Sequence, residues 1–154
     1  MAQKHIAYIP EGSTPTQEKF INYLMEQGKK SIARHIFQEM LEIIEAKGNK
    51  KPLEMFEKAL ANVKPNMEVR PRRIGGAVYQ IPVEVKPQRQ IALSFRWLIG
   101  GARSGKGQKM AVKLAREIMD AANETGNAIK KRDETHRMAQ ANKAFAHLAK
   151  YQGV

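Results

Sequence analysis

Between Ser31 and Gly48, the apolar residues Ile32, Ile36, Phe37, Met40, Ile43 and Ile44 recur at helical spacing with polar residues between them. Such a stripe commits the segment to an amphipathic helix, and its apolar face must be buried against other elements. Ser31 is placed to cap the start and Gly48 the end. The pattern recurs on both sides. A short helix is expected before it, with Phe20, Ile21, Leu24 and Met25 on one face and Gly28 closing it. Pro52 suits the first turn of a third helix that turns Met55, Phe56, Leu60 and Val63 inward, with Pro65 beyond its end. Pro87 opens a fourth, running to about Ala102. It is apolar along Ile91, Phe95, Leu98 and Ala102 and again along Leu93 and Trp97, which predicts a central position. A fifth helix runs from about Gln108 to Asn123 and buries Met110, Leu114, Ile118 and Ala122. A sixth begins near Gly126 and continues to about Lys150, with Met138, Ala141, Phe145 and Leu148 on its dry side.

One stretch breaks the helical pattern. Residues 69–85, VRPRRIGGAVYQIPVEV, have a Gly-Gly centre flanked by β-branched residues, the mark of a two-stranded hairpin. A two-residue loop at Gly75-Gly76 sets Ile74 opposite Ala77, Arg72 opposite Tyr79 and Arg70 opposite Ile81. That register puts Arg70, Arg72 and Tyr79 on one face and Arg73 on the other. Pro71 and Pro82 argue against a central place in a larger sheet, so the ribbon is expected to project. The alternative is an ordinary hairpin packed on the domain with solvated arginines, and no acid is evident to pair with its basic edge. The fold class expected is therefore mainly α: a single helical domain of about six helices with a protruding two-stranded β-hairpin. Residues 1–15 read as a flexible arm, 16–150 as the helical domain with the hairpin at 67–85, and 151–154 as a tail.

At 154 residues and 42% apolar content, the chain is long enough to bury a real core. The sequence shows no apolar run of transmembrane length and no signal-peptide core, and predicts no membrane association. With no cysteine, thiolate metal sites and cysteine nucleophiles are excluded. The net charge is +12, and it is unevenly placed. Residues 1–68 carry ten basic and nine acidic side chains; residues 69–154 carry seventeen basic and six acidic. Such asymmetry points to a polyanionic partner, nucleic acid first.

The basic residues fall into groups. In the fourth helix Arg89, Arg96 and Arg103 are seven apart, which keeps them within about 40° of one another, a stripe that suits a phosphate-facing surface and, taken alone, equally an ordinary solvated face. In the fifth, Lys109, Lys113 and Arg116 share a face, although Glu117 and Asp120 follow one turn later and account for part of it as surface pairing. In the sixth, Arg132, His136, Lys143, His147 and Lys150 fall within about 60°. The cluster Lys130-Lys131-Arg132 sits near that helix's start, where the dipole disfavours cations, so helix stability does not explain it.

Two other features invite catalytic readings. GGARSGKG, residues 100–107, has the Gly-x4-Gly-Lys spacing of a phosphate loop. It has Gly107 where a Ser or Thr would hold magnesium, and helical spacing where a strand would precede it, so a basic inter-helix loop is the better reading. The four histidines are scattered: His136 and His147 are eleven apart with no carboxylate or cysteine at ligand spacing, and His136 beside Asp133 and Glu134 reads as a solvated cluster, so no metal, cofactor or catalytic constellation is implied.

Several segments together are specific. The chain resembles the family of the seventh small-subunit ribosomal protein, in its bacterial or organellar form, over roughly residues 18–147. The resemblance is carried by NYLMEQGKKSIA, by ALANVKPNMEVRPRRIGGAVYQIPVEVKPQR, by ALSFRWLI, and by KMAVKLAREIMDAANETGNAIKKRDETHRMAQANKAFAH. It implies a non-enzymatic, structural protein of the ribosome, cytoplasmic or organellar. The expected partners are the 3′ major (head) domain of the small-subunit rRNA and neighbouring head proteins, with a role in initiating head assembly. It also implies proximity to the exit-site tRNA and the outgoing mRNA. The family's RNA-facing positions correspond here to Lys29 and Lys30, to Arg70, Arg72 and Arg73, and to Lys130, Lys131, Arg132, His136, Arg137 and Lys143. Arg72, Arg73, Gly75, Gly76 and Tyr79 are the expected tRNA- and mRNA-proximal positions. The charge pattern adds Arg89, Arg96, Arg103, Lys109 and Lys113 to the rRNA-facing set. Two departures stand out. Residues 1–18 hold Lys4 as their only Lys or Arg where bacterial members usually carry an arginine-rich arm, and the loop after the fourth helix is richer in glycine. Two alternatives of other classes stay open at this point: a dimeric nucleoid-type DNA-binding protein using the hairpin as a minor-groove arm, and an NTP-dependent enzyme built on residues 100–107.

Overall fold

The structure, a computed structural model, describes residues 8–150. The first seven residues of the expected arm, Lys4 among them, and the tail at 151–154 lie outside the described residues. Proline and glycine set many of the boundaries. Pro15, Pro52 and Pro87 open α1 (Pro15–Leu24), α3 (Pro52–Val63) and α4 (Pro87–Arg103), where the missing N–H costs nothing. Thr14 caps α1 by accepting the Gln17 N–H. Between α1 and α3 runs α2 (Lys30–Ala46), and it ends as predicted at Gly48, whose φ is +95°. There the Gly48 N–H bonds the Glu45 carbonyl and the Asn49 N–H bonds that of Ile44, the paired pattern of a Schellman motif. Its start differs from expectation. Lys29 is the capping residue, Ser31 lies inside the first turn, and no side chain caps the N–H groups.

The aromatic centre of the core explains how α1 to α4 converge. The Phe20 ring lies edge-on, 5.0 Å from Phe56 and 5.3 Å from Phe95, and Phe37 packs 5.4 Å from Phe56. Helix α5 (Met110–Ala122) inserts beside this cluster, against α2, α3 and α4. Its buried Ala111, Ala115, Ala121 and Ala122 let the backbones approach closely, and Leu114 and Ile118 fill the space between. Ile32 is the exception to the apolar stripe of α2, at 54% exposed.

The hairpin consists of β1 (Met67–Ile74) and β2 (Ala77–Glu84), paired antiparallel with Ile74–Ala77, Arg72–Tyr79 and Arg70–Ile81 opposite one another. Gly75 and Gly76 both have positive φ, +58° and +84°, as a tight turn of this handedness requires. The tip stands clear, and the base does not. Ile81 on one face and Pro82 on the other are both buried, because the ribbon's base rests on α6 (Asn127–Ala141) and on the segment that follows.

That segment revises the sixth helix. The α-helix stops at Ala141, and Lys143–Lys150 wind as a 3₁₀ helix. Asn142 is the C-terminal cap of the α-helix and donates both its backbone N–H (3.1 Å) and its side-chain amide (2.8 Å) to the Met138 carbonyl. Three residues per turn replace 3.6, so Arg132, His136, Lys143 and His147 do not form one straight stripe. The dry side expected there is only partial: Met138 is 55% and Phe145 37% exposed.

Candidate nucleic-acid interface

At the hairpin, the exposed tip carries Arg73, Gly75 and Gly76. Tyr79 and Arg72, cross-strand partners, are half-buried. The Tyr79 ring lies 5.5 Å from that of Phe145, which ties β2 to the 3₁₀ segment. A second tie lies at the base of the ribbon, where the Asn66 N–H donates to His136 Nε2 at 3.1 Å. His136 thus spends one ring nitrogen within the chain.

The acid absent from the sequence reading is Glu68. It is buried at the base of β1, and it accepts Arg70 Nε at 2.9 Å and Arg89 Nε at 2.8 Å. Arg70 of the hairpin and Arg89 of α4, predicted separately, are therefore brought to one carboxylate. The other two arginines of α4 are engaged as well. Arg96 lies over the Tyr23 ring, 5.8 Å from its centroid. Arg103 pairs with Glu26 at 3.0 Å and bonds the Leu24 carbonyl. All three remain partly exposed on a single side of α4.

The start of α6 is built from α5. The carboxylate of Glu117, buried, accepts the Ala128 N–H at 2.7 Å and so caps the first turn. The chain reaches that turn through Gly126, whose φ of +92° favours glycine. Burial pushes the Glu117 carboxyl above its usual value, against the pull of the Ala128 and Asn127 N–H groups. From this anchored end Lys130 and Lys131 face solvent, as does Arg137 further along. Arg132 turns inward instead. Its side chain is 16% exposed, bonds the Asn62 carbonyl at the end of α3, and pairs with Asp133 at 3.0 Å and Glu124 at 3.4 Å. Burial works against the Arg132 charge, but Asp133 and Glu124 outweigh it and hold the guanidinium more firmly protonated.

The last group surrounds the start of α2. Lys29 is exposed, while Lys30 and Arg34 both reach Glu18, Lys30 at 3.7 Å. The bond from Arg34 holds the Glu18 carboxyl down from 4.5 to about 2, although burial opposes it. An open cleft of about 590 Å³ lies between Lys29, Ile32, Arg103 and Met110. Lys109 stands exposed at the start of α5, and Lys113 Nζ bonds the Gly105 carbonyl at 3.1 Å.

Chemically, this is a surface of cations, some solvent-facing and some positioned by the buried acids Glu18 and Glu68, suited to phosphate contact rather than to bond making. Among the described residues no group of His, Asp and Glu is arranged to hold a metal. Gly100 and Gly101 belong to α4, so the Gly-x4-Gly-Lys stretch is a helix end and not a strand-to-loop cradle. No described helix is long and apolar enough to cross a membrane.

Comparison with known proteins gives the surface its setting. A family profile described as Ribosomal protein S7p/S5e matches residues 2–143. The small ribosomal subunit protein uS7 of Solidesulfovibrio magneticus is 51% identical over 147 residues, covering 96% of this chain and 94% of that one. Its namesakes in Thermoanaerobacter pseudethanolicus and Dictyoglomus thermophilum are each 57% identical, over 129 and 130 residues, covering 84% of this chain and 83% of theirs. Each relative is named as a ribosomal protein and none as an enzyme. With a match across nearly its whole length and more than half of the aligned residues identical in these relatives, the chain belongs to the ribosomal protein S7p/S5e family and is a small-subunit ribosomal protein.

Proposed function

We propose that the protein anchors the 3′ major domain of the small-subunit rRNA, helps initiate assembly of the head, and extends its hairpin toward the exit-site tRNA and the outgoing mRNA. Neighbouring head proteins complete its contacts. The observation that carries the reading is the arrangement of cations. Lys130, Lys131 and Arg137 on α6, Arg70, Arg72 and Arg73 on the hairpin, and Arg89, Arg96 and Arg103 on α4 surround a core that is itself apolar. Lys29, Lys30, Lys109, Lys113, His136 and Lys143 extend this surface. Side chains of this kind meet phosphates and RNA shape with little base readout. Arg73, Gly75 and Gly76 stand exposed at the tip, so anchoring falls to the helices and reaching falls to the ribbon's Arg72, Arg73, Gly75, Gly76 and Tyr79.

The test is binding of the full chain to a transcribed head-domain rRNA fragment across a salt series. Affinity should fall steeply as salt rises, through displacement of counterions. Equal affinity for an unrelated duplex DNA, with dimer formation, would favour the nucleoid-type alternative and sink this one. Replacing Arg73 and Tyr79 should disturb tRNA or mRNA events while leaving fragment binding intact.

A further inference from the structure

We infer that Glu68 is a positioning residue that joins Arg70 and Arg89 into a single two-guanidinium site for one RNA phosphate; the inference rests on the rRNA-binding reading above. Glu68 is the buried member and the two arginines are the half-exposed ones, with side-chain exposures of 9% against 50% and 41%. Both arginines use Nε toward the same oxygen, Oε1, and Arg89 Nε also lies 2.9 Å from Oε2. An arginine has five N–H donors in a planar fork, so a bond through Nε leaves the Nη edge free to meet an anion. Two guanidinium groups drawn to one carboxylate repel each other, and a single negative charge between them leaves one positive charge over. A phosphate on the outer side offsets that charge and accepts from both forks, the geometry in which arginine surpasses lysine. The two arginines come from different elements, β1 and α4, and Glu68 fixes the distance between them before RNA arrives.

The sign of the Glu68→Gln effect decides the matter. If Glu68 only neutralised the surface, its loss would add one net positive charge and tighten binding to any polyanion. Positioning predicts the reverse: affinity for the head-domain fragment falls about tenfold. Arg70→Ala and Arg89→Ala should each weaken binding and lower the salt slope by about one. The double variant should lose little beyond the stronger single, because the phosphate is shared. Arg89→Lys keeps an ion pair to Glu68 but lacks the fork, so it should lose affinity with its melting temperature unchanged. That variant decides the question if Glu68→Gln does not fold. Undiminished binding by Glu68→Gln, unimpaired binding by Arg89→Lys, or additive losses with a slope change of about two would each overturn the shared site. A wild-type protein that failed to bind the fragment would overturn the rRNA reading itself, and the site with it.

Discussion

Glu117 Oε1 lies 2.7 Å from the backbone nitrogen of Ala128, so a side chain of α5 closes the first turn of α6. No local residue performs that cap, since Gly126 precedes the helix and has no side chain to offer. The orientation of the helix that presents Lys130 and Lys131 is therefore set by a carboxylate from a different helix.

Removing that acceptor should show in stability. Glu117→Ala leaves a buried N–H unsatisfied and is expected to cost about 2 kcal/mol in urea denaturation. Glu117→Gln keeps an oxygen in place and should cost far less at neutral pH. Because burial raises the folded-state value of this acid, its protonated form favours the fold, and wild-type stability declines as pH climbs above the ordinary 4.5. The advantage of wild type over Glu117→Gln should therefore shrink as pH rises, and a gap that widened instead would contradict this account.

Glu18 has the opposite sign. Its carboxyl is held at about 2 against an ordinary 4.5, so its bond to Arg34 contributes stability above pH 4.5 that is lost as pH falls toward 2. Arg34 is partly solvated, which screens the pair, and the contribution is about 1 kcal/mol. Glu18→Gln should remove this amount at neutral pH and flatten the acid limb of the stability curve measured by thermal melting.

Gly100 and Gly101 are neighbours in α4 with opposite expected effects. A Cβ on Gly100 meets nothing within 4 Å, so Gly100→Ala gains helix propensity and should raise stability by about 0.5 kcal/mol. A Cβ on Gly101 would lie 2.9 Å from Glu117 Oε1 and 3.1 Å from the Asn127 Cβ. Gly101→Ala therefore presses on the acid that caps α6, and a loss of about 1–3 kcal/mol is expected from overpacking. Melting temperatures of the two variants should move in opposite directions.

Lys130, Lys131 and Arg132 are adjacent in sequence and differ in task. Lys130→Ala with Lys131→Ala should leave melting unchanged and reduce the salt slope of rRNA binding by about two. Arg132→Ala severs the tie from α6 to the Asn62 carbonyl and should cost about 2 kcal/mol. Equal loss of stability in both variants would remove the distinction.

The features legible in the sequence are those written by local signals. Pro52 and Pro87 mark helix starts, Gly48 marks a helix end, and Gly75-Gly76 fixes the hairpin register residue for residue. What was missed depends on partners distant in the chain. Glu117 reads as half of a surface pair with Lys113, yet it turns inward because Ala128 offers a buried donor. Glu68 is an unremarked acid until the hairpin folds back and brings Arg89 beside it. The α-helix stops at Ala141 without glycine or proline, at an asparagine whose side-chain amide adds a second bond to the Met138 carbonyl. Arg132 shares its composition signal with Lys130 and Lys131, and its partners Asn62, Glu124 and Asp133 separate their roles.

The hairpin leans on elements that come after it in the chain, α6 and the 3₁₀ segment with Phe145. A chain emerging from its own synthesis delivers β1 and β2 well before these supports. The aromatic cluster of α1 to α4 can assemble first, with the ribbon held at its base by the Glu68–Arg89 pair and not yet supported along its length. Its direction is completed last, when α6 and the C-terminal residues arrive; because Ala128 and Ile129 of α6 also belong to the core, a chain truncated before α6 would lose the ribbon's support and leave the core unfinished.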